Sequence, residues 1–91
     1  MKILVPTTRY VKDVRRLRKR GYKLEKLVTI VKLLETEQPL PAHARNHKLH
    51  GEYGGCRECH VGGDWLLIYN FTEEGEEVTL IRTGTHADLF E

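Results

Sequence analysis

Residues 56–82, CRECHVGGDWLLIYNFTEEGEEVTLIR, decide the fold of this 91-residue chain. Glycine pairs at 54–55 and 62–63 bracket Cys56 to Val61, which reads as a short strand. Trp65-Leu66-Leu67-Ile68-Tyr69 is apolar at every position, the pattern of a central strand covered on both faces. Thr72 to Glu76 is a turn around Gly75, and Val78 to Arg82 is the strand that returns from it. Three strands joined this tightly make an antiparallel meander.

Upstream, Lys2 to Val5 is a short apolar strand stopped at Pro6. Thr7 or Thr8 can cap a helix in which Tyr10, Val11, Val14 and Leu17 recur at helical spacing. Gly21 follows a basic last turn and ends that helix. Leu24, Leu27, Val28, Val31 and Leu34 form a second apolar stripe, so Gly21-Tyr22 links two amphipathic helices into a hairpin. Glu37 to Arg45 has two prolines and no period, and is a loop. The expected architecture is α+β, in the order β-α-α-β-β-β. A mainly antiparallel sheet carries the helical hairpin on one face and leaves the other free for a ligand. Residues 1–91 are expected to be a single domain.

The net charge of +2 hides an asymmetry: residues 1–37 hold 11 Lys and Arg against 4 Asp and Glu, and residues 38–91 hold 4 against 9. Arg9, Lys12, Arg15, Arg16, Arg18, Lys19, Arg20, Lys23 and Lys26 are either a solvated helix face or the footprint of a polyanion. The opening residues carry too short an apolar run for a secretory segment, and no stretch has the length of a membrane span. A cytoplasmic address without membrane attachment is expected, where both cysteines stay reduced.

Cys56-Arg57-Glu58-Cys59-His60 spells the attachment signature of a c-type haem. On a strand, Cys56, Glu58 and His60 point one way and Arg57 and Cys59 the other, so both sulfurs cannot reach one ring. A zinc site would need two of the five histidines at a spacing that matches no finger pattern. The C-x-x-C pair also lacks the helix N-terminus that activates redox thiols. Two incidental thiols, and no metal or cofactor, are the expectation.

His47, His60 and His86, with Asp64 and Arg82, supply what metal-free phosphodiester cleavage needs. One group takes a ribose 2′-OH proton, another protonates the departing 5′-oxygen, and a cation offsets charge on the phosphorane. Separately, Asp64 could be a turn residue and Arg82 a cross-strand salt-bridge partner.

Four linked pieces make a resemblance visible: HKLHG at 47–51, RECHV at 57–61, DWLLIY at 64–69 and RTGTHADLF at 82–90. With TTRYVKDVRRLRKRGYKLEKL at 7–27 and QPLPAHARNH at 38–47, the chain resembles the YafQ branch of the RelE-type toxins over nearly its whole length. The resemblance implies a RelE-like, microbial-RNase-like fold and ribosome-dependent cleavage of mRNA in the A site. It implies inhibition by a DinJ- or RelB-like antitoxin. It implies a catalytic set of His47, His60, Asp64, Arg82, His86 and Phe90. Asp64, helped by His60, would be the base, His86 the acid and Arg82 the stabiliser of the transition state. Phe90 would position a base, and His47 would hold phosphate or serve as an alternative base. Trp65 would support the substrate site, with Arg9, Lys12, Arg15, Arg16 and Lys19 contacting rRNA phosphate. A catalytically silent RNA- or ribosome-binding module of the same fold is the alternative. The two cysteines depart from the family pattern without touching its catalytic positions.

Overall fold

Thr7 begins the first helix by accepting the Tyr10 amide on its hydroxyl at 3.0 Å. The computed structural model describes residues 1–90, and Glu91, the last residue of the expected domain, lies outside them. Helix α1 spans Thr8–Lys19. Gly21, at φ +84°, ends it: the Tyr22 amide bonds Leu17 O and the Gly21 amide bonds Arg18 O, the paired closure a left-handed residue permits. Helix α2 follows at Leu24–Glu35.

Five strands form one sheet in the order β1-β5-β4-β3-β2, with β1 at Ile3–Pro6, β2 at His47–Lys48, β3 at Arg57–Gly62, β4 at Trp65–Phe71 and β5 at Glu77–Thr85. The meander β3-β4-β5 is antiparallel, and β1 adds in parallel to β5. A parallel neighbour needs a long crossover, and the helices with everything after them up to β5 provide it. Beyond the expected elements stand the two-residue β2, two single-turn 3₁₀ helices at Ala42–Ala44 and Gly51–Tyr53, and helix α3 at His86–Phe90. Each is shorter than the window over which a hydrophobic period can be read.

The helices cover one face. Leu17, Leu27, Ile30 and Leu34 pack there against Cys59, Val61, Trp65, Leu67 and Tyr69 of the sheet. A smaller cluster, Leu66, Ile68 and Leu89 with Leu49, Tyr53 and Ile81 against it, lies on the other face. Cys59 falls in the helix-side core while Cys56 packs on the opposite cluster, as strand alternation requires. The same alternation sets Trp65, expected to support the substrate site, on the helix side of the sheet. Its side chain is 3% exposed on the helix side, edge-on to Tyr22 with ring centroids 5.2 Å apart. Its indole N–H donates to Thr83 Oγ1 at 2.8 Å, and that hydroxyl donates to Leu66 O at 2.8 Å. Trp65 therefore stiffens β4 against β5 from behind the candidate site.

Candidate active site

The face turned away from α1 and α2 carries a transverse polar row. His47 pairs with Glu58, Glu58 with Ile68, and Ile68 with Arg82, so three functional side chains stand abreast on β2, β3 and β5. Neighbouring strands lie about 4.8 Å apart, which sets the row at roughly 14 Å across. His60 stands two residues along β3 from Glu58, opposite Leu66, which in turn faces Gly84.

His47 Nε2 lies 2.9 Å from Glu58 Oε2, and its Nδ1 lies 3.2 Å from the Lys48 carbonyl. The Glu58 carboxylate can only accept, so the contact anchors the His47 imidazole across the β2–β3 pair. His60 Nδ1 faces the Gly63 carbonyl at 3.4 Å. A hydrogen bond there would use Nδ1 as the donor, the tautomer whose lone pair is on Nε2. His47, Glu58 and His60 each offer a donor atom within 4.8 Å of the others. Two imidazoles and a carboxylate are a donor set that Zn²⁺ or Cu²⁺ accepts.

Helix α3 delivers His86 and Phe90. Thr85 and Asp88 cap its start reciprocally, with the Thr85 amide donating to Asp88 Oδ2 at 2.9 Å and the Asp88 amide to Thr85 Oγ1 at 3.1 Å. Arg20, from the far end of α1, grips both Asp88 oxygens at 2.8 and 3.0 Å. These bonds hold the Asp88 carboxyl well below the usual carboxylate range, the Arg20 guanidinium first and Thr85 after it. Gly84 makes the approach possible, since a Cβ there would meet Asp88 atoms at 3.0 Å. Leu89 is buried on Leu66 and Ile68. One turn apart, the His86 and Phe90 rings stack at 4.9 Å and 37°, and Tyr53 meets Phe90 edge-on at 5.7 Å.

Arg82 is 8% exposed and bound side-on by Asp13 of α1, Nε to Oδ2 at 2.8 Å and Nη2 to Oδ1 at 2.9 Å. Asp13 holds the guanidinium pKa above its ordinary value, with a smaller push from the Tyr53 phenol. Two of the five guanidinium N–H donors are thereby committed to Asp13.

Asp64 sits in the turn between β3 and β4, exposed, next to the Gly63 carbonyl that faces His60. The carboxylate that reaches a histidine is Glu58 instead, a residue that sequence reasoning did not single out. Alternation was the signal that could have found it, because Glu58 shares a strand face with His60. Arg9, Lys12, Arg15 and Lys19 are exposed on α1, whereas Arg16 turns inward to Asp13 at 3.0 Å. That bond uses Nη2 alone, and the Arg16 side chain stays 40% exposed.

Residues 2–91 match the family model described as the bacterial toxin of the type II toxin-antitoxin system, YafQ. The chain belongs to the YafQ toxin family. It is 43% identical over 82 residues to the mRNA interferase toxin YafQ of Escherichia coli K12, an alignment covering 89% of this chain and 87% of that one. The fold superimposes on the toxin in the E. coli DinJ-YafQ toxin-antitoxin complex with a TM-score of 0.88 at 38% identity, covering 99% of this chain and 98% of that one. A metal-bound toxin from Helicobacter pylori gives a TM-score of 0.90 at 36% identity, covering 99% of this chain and 100% of that one.

Proposed function

We propose that this YafQ-family toxin is an endoribonuclease that cleaves mRNA in the ribosomal A site through attack of the ribose 2′-oxygen, and that a DinJ-like antitoxin restrains it. The single observation that carries the chemistry is the placement of His47, Glu58, His60 and Arg82 on the one sheet face opposite α1 and α2. The 2.9 Å contact of His47 with Glu58 supports this reading by holding two of them together.

His60 Nε2 takes the 2′-OH proton, with the Glu58 carboxylate stabilising the imidazolium that forms. The 2′-oxygen attacks phosphorus, and the remaining N–H groups of Arg82 bind the equatorial oxygens of the phosphorane. His86 gives its proton to O5′ as the P–O5′ bond breaks, leaving a 2′,3′-cyclic phosphate and a 5′-hydroxyl. His47 keeps Glu58 oriented, and Phe90 offers a ring on which a base stacks. Asp64, exposed in the turn after the Gly63 carbonyl that His60 faces, is the alternative base. Arg9, Lys12, Arg15 and Lys19 supply ribosomal phosphate contacts. The relatives' names support mRNA cleavage and antitoxin binding. Dependence on the ribosome rests on the exposed basic helix. The H. pylori relative is a metal-bound toxin, and in this chain His47, Glu58 and His60 are a donor set that could hold an ion. Those donors are the groups the reaction uses, so a bound metal would block the site.

Translation of a reporter message followed by primer extension tests this reading with wild type and His86→Ala. Cuts within codons that vanish in the variant are expected. Equal growth inhibition by both proteins without cleavage would favour a silent ribosome-binding module instead.

A further inference from the structure

Parallel pairing of β1 with β5 stops at Pro6 and Leu80, so the outer edge of residues 81–85 has no strand beside it. Helix α1 fills that edge. The Thr7 amide donates to Leu80 O at 3.0 Å and the Thr7 hydroxyl donates to Ile81 O at 2.7 Å, fixing where the helix leaves the sheet. Two turns later Asp13, 2% exposed, accepts the Thr83 amide at 3.1 Å. Its carboxylate also takes Arg82 Nε and Nη2, and Arg16 Nη2 at 3.0 Å. An ionised carboxylate has about four good acceptor positions, and four donors occupy them.

This arrangement does more than secure the helix. A buried ion pair is a poor stabiliser compared with apolar side chains of similar volume, because both charges lose their hydration. What the pair does supply is geometry. An arginine has several rotatable bonds, and an unrestrained fork must be ordered when substrate binds. Side-on capture of Nε and one Nη removes that freedom and aims the remaining N–H groups as one rigid edge. The Thr83 bond then ties the carboxylate to the backbone next to Arg82, so strand and side chain are registered together.

We propose that Asp13 is a positioning residue for cleavage: it presets the Arg82 guanidinium for the phosphorane. The proposal rests on the role given to Arg82 above, and it lies on a helix otherwise read as a surface for RNA phosphate.

Single-turnover cleavage of ribosome-bound mRNA tests it with Asp13→Asn, Arg82→Ala and the double variant, at a temperature where circular dichroism shows each folded. Asn keeps the shape of Asp13 while losing its charge. Asp13→Asn is expected to lower kcat about tenfold to hundredfold with KM nearly unchanged. The double variant should be no slower than Arg82→Ala alone. A wild-type kcat in Asp13→Asn beside a crippled Arg82→Ala would overturn the proposal and leave the Arg82 reading standing. Equal losses from Asp13→Asn in the presence and absence of Arg82 would assign Asp13 a merely structural part and also overturn it. Full activity in Arg82→Ala would reject the Arg82 reading and the proposal with it. Should Asp13→Asn not fold, nitrogen-15 NMR of the wild-type toxin decides. Slow exchange of Arg82 Nε–H with resolved Nη protons is expected, and freely averaged Nη signals would contradict a preset fork.

Discussion

Glu58 and Cys59 are neighbours in the chain and lie on opposite faces of the sheet. Cys59 is 0% exposed within the helix-side core, and burial pushes its thiol up to about 12. A thiol held that high is not a nucleophile near neutral pH. Iodoacetamide should therefore label Cys56 in the folded toxin and Cys59 only after denaturation. Cys59→Ser should cost about 1–3 kcal/mol, the penalty of an unpaired hydroxyl in an apolar site, while Cys56→Ser should stay near neutral; thermal melts of the two variants measure both. On the other face, Glu58→Gln keeps the side chain's size but removes the carboxylate that lies 2.9 Å from His47 Nε2. It should slow single-turnover cleavage about tenfold to hundredfold, and an unchanged rate would remove Glu58 from the mechanism. Zn²⁺ should inhibit and a chelator should restore the rate; activation by Zn²⁺ would contradict a metal-free reaction. The histidines and Arg82 were legible in the sequence because their chemistry marks them. Glu58 and Asp13 were not, since a charged residue on a strand or helix is ordinarily a solvated one, and only three-dimensional pairing shows otherwise.

At the scale of elements, α3 matters most although it has five residues. No isolated helix of that length is stable, and its position depends on the Arg20–Asp88 grip, the Thr85 cap and the burial of Leu89. Because the Asp88 carboxyl is depressed in the fold, its contribution to stability is fully present above its unfolded value, near about 4. That contribution is lost as pH falls through the lower folded value. Acid titration of wild type and Asp88→Asn should show wild type more stable at neutral pH and the two curves converging below the ordinary carboxylate range. Convergence at alkaline pH instead would be the wrong sign. The same variant should slow cleavage, because His86 and Phe90 ride on the loosened helix. The meander and helical hairpin could be read from period and turn residues alone. Helix α3 and strand β2 could not: five and two residues carry no period, and tertiary contacts alone hold them.

For the whole molecule, the division of charge follows the division of labour. The basic N-terminal segment supplies a helix whose outer side is exposed Arg9, Lys12, Arg15 and Lys19. The acidic C-terminal segment supplies four of the five strands of the sheet that carries the candidate site. Replacing Lys12, Arg15 and Lys19 with Ala should weaken ribosome binding and flatten its dependence on salt. Each lost phosphate contact should reduce the log–log slope by roughly 0.7–0.9, as filter binding across a salt series would measure. An unchanged slope would place the phosphate contacts elsewhere. Helix and sheet meet at Asp13 and Arg82, where the basic helix is bonded to the guanidinium to which we assign transition-state stabilisation. The account stands or falls on the identity of the nucleophile, and one measurement reaches it directly. Ribosomes carry a message with a single 2′-deoxy nucleotide on the 5′ side of the scissile bond, beside the all-ribose message, and the toxin is added to both. Cleavage of the ribose message to a 2′,3′-cyclic phosphate, with none at the deoxy position, is the predicted result; cleavage of the deoxy message at an undiminished rate would contradict it.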